Sequence, residues 1–175
     1  MKTARGFTLI ELLVVISIIG VLAALLMPVF SNVRAAGYTT KCLSQLKQIG
    51  LALQMYTDEN NGRLPFLQNR ASTNNAQPAL DTVLLSYVSG QSALFACPAD
   101  RERLYVSTGT SYFWNFTVNT QYIANLFSIV GGSEVTRIPL VCDKEGFHPN
   151  LRDKINILYG DGHASRELQF SVSGP

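Results

Sequence analysis

Three cysteines, two histidines and a scatter of carboxylates are the residues of this 175-residue chain that could carry chemistry. Cys42, Cys97 and Cys142 contain no CxxC spacing, so a zinc site is not expected. Asp143, His148, Asp161 and His163 fall in the C-terminal third and could gather as a metal or acid–base site. The competing reading is structural: Asp161-Gly162 is a turn, and both histidines sit in loops. That reading is the stronger one. Asp143, Glu145 and Asp153 offer oxygen ligands of the kind calcium takes, but no known calcium-loop motif is legible. No GxSxG elbow and no phosphate-binding glycine loop occurs, so no catalytic residue is assigned and no enzyme is expected. Lys and Arg total 14 against 12 Asp and Glu, a near-neutral balance that gives no argument for a nucleic-acid partner.

One carboxylate stands apart. Glu11 is the only charge between Phe7 and Phe30, and Leu12 to Phe30 is a run of 19 uncharged residues. That run is about enough for one helix across ~30 Å of hydrocarbon. Lys2 and Arg5 ahead of it predict a cytoplasmic N-terminus. Three readings compete. A secretory signal peptide has an apolar core of roughly 7–15 residues and a small-residue cleavage site; here the run is longer and no convincing site follows. An ordinary membrane anchor fits the length, with Glu11 a snorkelling acid near its end. The third reading explains the basic start, the glycine and the acid together.

Residues 5–15, Arg-Gly-Phe-Thr-Leu-Ile-Glu-Leu-Leu-Val-Val, closely resemble the class III signal of type IV pilins and type II secretion pseudopilins. The resemblance implies that a prepilin peptidase cuts after Gly6 and methylates the new N-terminus, Phe7. It makes Glu11 the fifth residue of the mature chain, where the family carries its acid, and puts Pro28 at the family's helix-kinking proline. Glu11 would then pair with the amine of a neighbouring subunit and set the axial register of assembly. The physical logic is that a carboxylate in apolar surroundings gains most from an opposite charge close by.

These residues must be positioned by a long helix, expected over about 7–59. Cys42, Leu46, Ile49, Leu53 and Tyr56 recur at 4, 3, 4, 3 spacing, one face of an amphipathic helix. Asp58 to Gly62 give a polar stop, with Pro65 beyond. Pro28 should bend or loosen the helix. Gly37 and Gly50 each weaken it by ~1 kcal/mol relative to Ala; either they permit close packing against the head or they soften the rod. The chain therefore divides into a leader (1–6), a transmembrane and assembly helix (7–30), its amphipathic continuation (31–59) and a globular head (60–175). In the head, residues 68–78 read as a polar loop and Leu80 to Val88 as a short helix ended by Gly90. Tyr112–Val118, Ile138–Cys142, Ile155–Tyr159 and Ala164–Phe170 read as strands, the last two joined by a Gly160-Asp161-Gly162-His163 hairpin turn. The expected class is α+β, an antiparallel sheet packed on the distal half of the helix.

The head also resembles a subgroup common in the Planctomycetes and Verrucomicrobia lineages. The matching blocks are residues 41–50 (Lys-Cys-Leu-Ser-Gln-Leu-Lys-Gln-Ile-Gly), Tyr56 with Asn61-Gly62-Arg63-Leu64-Pro65, Cys97-Pro98-Ala99-Asp100, and Asp161-Gly162-His163. The subgroup carries a His some nine residues before an Asp-Gly; here twelve residues separate His148 from Asp161, which implies a longer loop before the last hairpin. With the head outside the cytoplasm, disulfides can persist. One pair leaves one thiol. Cys42 with Cys97 is preferred, because it would staple the middle of the head to the helix; Cys142 would be a buried strand residue.

The expected function is structural: a subunit of a type IV pilus or a type II secretion pseudopilus, held in the bacterial inner membrane with its head in the periplasm before assembly. The resemblance implies as partners other pilins or pseudopilins, the prepilin peptidase, the inner-membrane assembly platform and, before assembly, lipid. Alternatives are a minor or tip pilin in DNA uptake or adhesion, and a membrane-anchored monomeric binding module. Tyr112, Phe113, Trp114 and Phe116 motivate the last, though such a cluster is more often sheet core. No cofactor is expected, with calcium the one open candidate.

Overall fold

A computed structural model describes residues 9–73, 76–128, 132–149, 151 and 153–168. Gly6 and Phe7 lie outside the described residues. The chain divides into two compact units, residues 1–34 and 35–175. One helix, α1 (Leu9–Glu59), contributes to both.

In the first unit, every large apolar side chain from Leu9 to Val33 is exposed, from 46% at Val15 to 81% at Leu9. A segment apolar on all sides has no preferred face to bury, so its burial must come from lipid or from other helices. α1 runs through Pro28. Pro28 has no N–H for the carbonyl four residues back, and the Ser31 hydroxyl bonds the Pro28 carbonyl at 2.8 Å.

The second unit begins where α1 becomes amphipathic. Cys42, Leu46, Ile49 and Leu53 are buried in the core and Tyr56 packs at its margin. Arg34, Lys41 and Lys47 are exposed. Gly50 lies against β3: an added Cβ would come within 3.0 Å of a Leu158 methyl, which gives close packing as its role. Gly37 has no such neighbour among the described residues. The Asn60 and Gly62 amides close the helix on the Tyr56 and Thr57 carbonyls, at 3.0 and 2.7 Å.

The head is a four-stranded antiparallel sheet in sequence order, β1 (Tyr112–Trp114), β2 (Pro139–Asp143), β3 (Ile157–Tyr159) and β4 (Ala164–Ser165). The α+β class is as expected; β1, β3 and β4 are shorter than their apolar runs, and β2 is shifted by one residue. β1 stops at Trp114, and Phe116–Val118 is a 3-10 turn instead. Asn115 causes this: its side-chain oxygen accepts from the Thr117 amide at 3.2 Å and hydroxyl at 2.7 Å, and its amide group donates to the Pro139 carbonyl at 2.8 Å. Local side-chain bonds of this kind compete with a strand ladder. The β3–β4 hairpin forms where expected, with Gly162 at φ +85° and its N–H on the Tyr159 carbonyl at 3.0 Å.

Between α1 and the sheet, the expected 80–88 helix splits into α2 (Leu80–Val83) and a 3-10 turn at Ser86–Val88. A further short helix, α3 (Leu104–Thr108), was not anticipated. Asp100 starts it by accepting the Leu104 and Tyr105 amides at 3.1 and 3.0 Å. The 68–78 loop is more than a linker. Asn69 donates to the Trp114 carbonyl at 2.7 Å and accepts its N–H at 2.8 Å, covering the free edge of β1. Arg70 is buried and paired with Asp81.

Candidate functional site

Two features distinguish this chain chemically. The first is the apolar segment of α1 with Glu11 in its first turn. Glu11 and Pro28 sit in the same helix, 17 positions apart, which places them at separate levels of it. The segment has the length and composition to cross a membrane.

The second feature is a buried polar cluster in the head. Cys42 projects from the inner face of α1, and Cys97 precedes the Pro98 turn; the two form a disulfide with Cα atoms 5.3 Å apart. The Cys97 amide donates to the Ser111 hydroxyl at 3.1 Å, and Ser111 donates to Asp100 at 2.7 Å, so α3's capping residue also fixes the cysteine. The loop after β2 brings His148 to the same place. Its amide donates to the Lys154 carbonyl at 3.0 Å. The ring is 1% exposed, with Nδ1 3.1 Å from the Thr39 hydroxyl, Nε2 3.2 Å from Asp143 Oδ2 and 3.7 Å from Cys97 Sγ. Asp143, 3% exposed, accepts the Asn156 amide and side chain on that same oxygen at 2.6 and 3.1 Å.

Sequence reasoning gave His148 a structural or surface role in a loop; it is in a loop, but it is buried in the head's polar interior and not at the surface. Asp143 and His148 come together, and Asp161 and His163 form a separate, partly exposed pair. Glu145 and Asp153 are exposed, and Asp153 accepts the Leu168 amide at 3.0 Å. Among the described residues these two acids do not join Asp143 in a metal-binding group; the group with that geometry is Cys42, Cys97 and His148. The signal was present, since Cys42 and Cys97 lie in two of the head's recognisable blocks. Their convergence with His148 was not legible.

Cys142, on β2, is half-buried rather than buried as expected, and partial burial and the Asp143 charge push its thiol up to about 12. Of the aromatic residues that suggested a binding surface, Tyr112 and Trp114 are fully buried core, while Phe113 and Phe116 are exposed. Tyr112 donates to Gln45 at 3.0 Å, and Trp114 Nε1 donates to Asn119 at 2.7 Å.

Residues 1–27 match the family model of the prokaryotic N-terminal methylation motif. The chain is 37% identical over 73 residues to the type IV major alpha-pilin of Moraxella bovis, covering 42% of this chain and 45% of that protein. It is 43% identical over 61 residues to a type IV wide pilus major component of Thermus thermophilus, covering 35% and 47%. It is 42% identical over 57 residues to the type II secretion system core protein G of Pectobacterium carotovorum, covering 33% and 36%. The chain thus spans less than half the length of the curated relatives it matches. No solved structure matches it. Its N-terminal segment is thus similar to the methylation motif and to the matched stretches of type IV pilins and a type II secretion core protein.

Proposed function

We propose that this chain is a structural subunit of a type IV pilus or a type II secretion pseudopilus, and not an enzyme. It is cut after Gly6, methylated on Phe7 and packed through α1 with other subunits. The observation that carries this reading is the apolar face-all-round segment from Leu9 to Val33 with a single carboxylate, Glu11, in its first turn. Before assembly lipid covers that segment, with the N-terminus in the cytoplasm and the head across the inner membrane. In the fibre, neighbouring helices replace lipid, and Glu11 meets the new amine of an adjacent Phe7. The prepilin peptidase and an inner-membrane platform are the partners that this route requires.

Two variants test the steps separately. Gly6→Leu should remain uncut when co-expressed with the peptidase, read as an unchanged intact mass. Glu11→Val should be cut and methylated normally yet fail to enter fibres. Normal fibres from Glu11→Val would remove the pairing role, and a native protein that begins elsewhere than Phe7 would remove the whole reading.

A further inference from the structure

The Cys42–Cys97 disulfide shares its buried surroundings with the His148 imidazole and the Asp143 carboxylate. The Thr39 hydroxyl donates its proton to the Ala35 carbonyl at 3.0 Å. Thr39 Oγ1 also lies 3.1 Å from His148 Nδ1. The other ring nitrogen, Nε2, faces Asp143 Oδ2 at 3.2 Å and Cys97 Sγ at 3.7 Å. One ligand atom from each of Cys42, Cys97 and His148 lies within 4.8 Å of the others, and all three residues are buried. Asp143 supplies an independent sign of a missing ligand. Its Oδ1 is buried and has no hydrogen-bond partner among the described residues.

We propose that the dithiol form of the head binds one Zn²⁺ through Cys42, Cys97, His148 and Asp143. The donor set, two thiolates, one imidazole and one carboxylate, suits tetrahedral zinc. The Cα separation of 5.3 Å lets the two sulfurs part to ligand spacing by side-chain rotation. Thr39 and Asn156 orient the imidazole and the carboxylate from behind, as outer partners do in metal sites. The ligands come from α1, the Pro98 turn, β2 and the loop after it, so the missing CxxC spacing does not count against the site. On loading, each thiol releases one proton and zinc takes the two thiolates. Closing the disulfide from the loaded form passes two electrons from the two thiolates to a disulfide oxidant, which takes two protons from water and becomes a dithiol, and the ion leaves. The cluster would then have two alternative locks on the same fold, zinc while reduced and a covalent bond once oxidised.

The full-length chain in detergent, reduced anaerobically with a phosphine, is titrated with Co²⁺ alone. One equivalent should produce a thiolate-to-cobalt charge-transfer band and tetrahedral ligand-field bands, and one equivalent of Zn²⁺ should erase both. The oxidised protein should give no band. Cys142→Ala should keep the bands, while His148→Gln and Asp143→Asn should each weaken Co²⁺ affinity by at least about tenfold. Near-ultraviolet circular dichroism of the oxidised variants checks that they fold. X-ray absorption of the zinc-loaded wild-type chain needs no variant, and should show two sulfur and two light-atom ligands. A reduced chain that gives no charge-transfer band, bands unchanged in His148→Gln and Asp143→Asn, or a zinc spectrum without two sulfurs would each overturn the proposal.

Discussion

Gln45 joins three pieces of the head through one buried amide. Its Nε2 donates to the Ala93 and Ala96 carbonyls, each at 3.0 Å, and its Oε1 accepts the Tyr112 hydroxyl at 3.0 Å. Burial pushes the Tyr112 phenol far above its usual range, so it remains a donor at any physiological pH. Gln45→Leu keeps the volume and removes every partner. Leaving buried groups unmatched costs about 1–3 kcal/mol each, so a loss of roughly 2–4 kcal/mol is expected in denaturant unfolding. A variant as stable as the parent would show that water replaces the amide. At the same scale, Cys142, half-buried, should react more slowly with thiol reagents in the folded protein than after unfolding, because partial burial and the Asp143 charge disfavour its thiolate. Sequence showed Cys142 as a strand residue; it could not show the Asp143 charge beside it.

Among the elements, the helix was the most legible. Its apolar stripe, its polar stop and its burial pattern agree because a 3.6-residue period is written directly in the residue order. Leu46, fully buried on that stripe, should cost about 2–5 kcal/mol as Leu46→Ala, read as a lowered unfolding midpoint. Short elements were less legible. α3 depends on Asp100 capping it, and β1 ends on Asn115 folding back, both choices between local bonds and ladder bonds. The 100–111 segment is tied to the sheet through Lys144. Its ammonium donates to the Thr110 carbonyl at 2.8 Å and to Thr108. Burial lowers this lysine to about 8, against the opposing pull of Asp81 and Asp100. The folded state therefore gives up the proton before the unfolded chain does. Below about pH 8 both forms are charged, and the folded form bears the cost. As pH rises from about 8 towards the ordinary lysine range, that cost disappears and Lys144's contribution to stability increases. Lys144→Met should flatten the rise in unfolding midpoint between pH 8 and 10; an identical slope in the variant would assign the rise elsewhere.

For the whole molecule, the decisive contrast is between the described residues 9–33, whose large apolar side chains are all exposed, and a head with a closed core. The disulfide joins α1 to the head across a sequence separation of 55 residues. Closing a loop of that size in the unfolded chain is worth roughly 4 kcal/mol by loop entropy, less any native strain. Reduction in the presence of a chelator should therefore lower the thermal midpoint markedly, and zinc added to the reduced protein should restore part of the loss. Equal midpoints for the oxidised and the reduced, chelated protein would mean that packing alone holds α1 to the sheet.

What residue order alone determined is what depends on local period and composition: the apolar run, its lone acid, the amphipathic stripe, the hairpin turn and the α+β class. Each is a property of neighbours within a few positions, so no knowledge of distant contacts is needed. Tertiary structure decided how far each strand extends, that Asn69 covers the edge of β1, and that Thr39, Cys42, Cys97, Asp143 and His148 share one buried pocket. Those outcomes are set by competition between hydrogen bonds across tens of residues. Burial settles that competition, because a polar group removed from water must find its partner wherever the fold brings one.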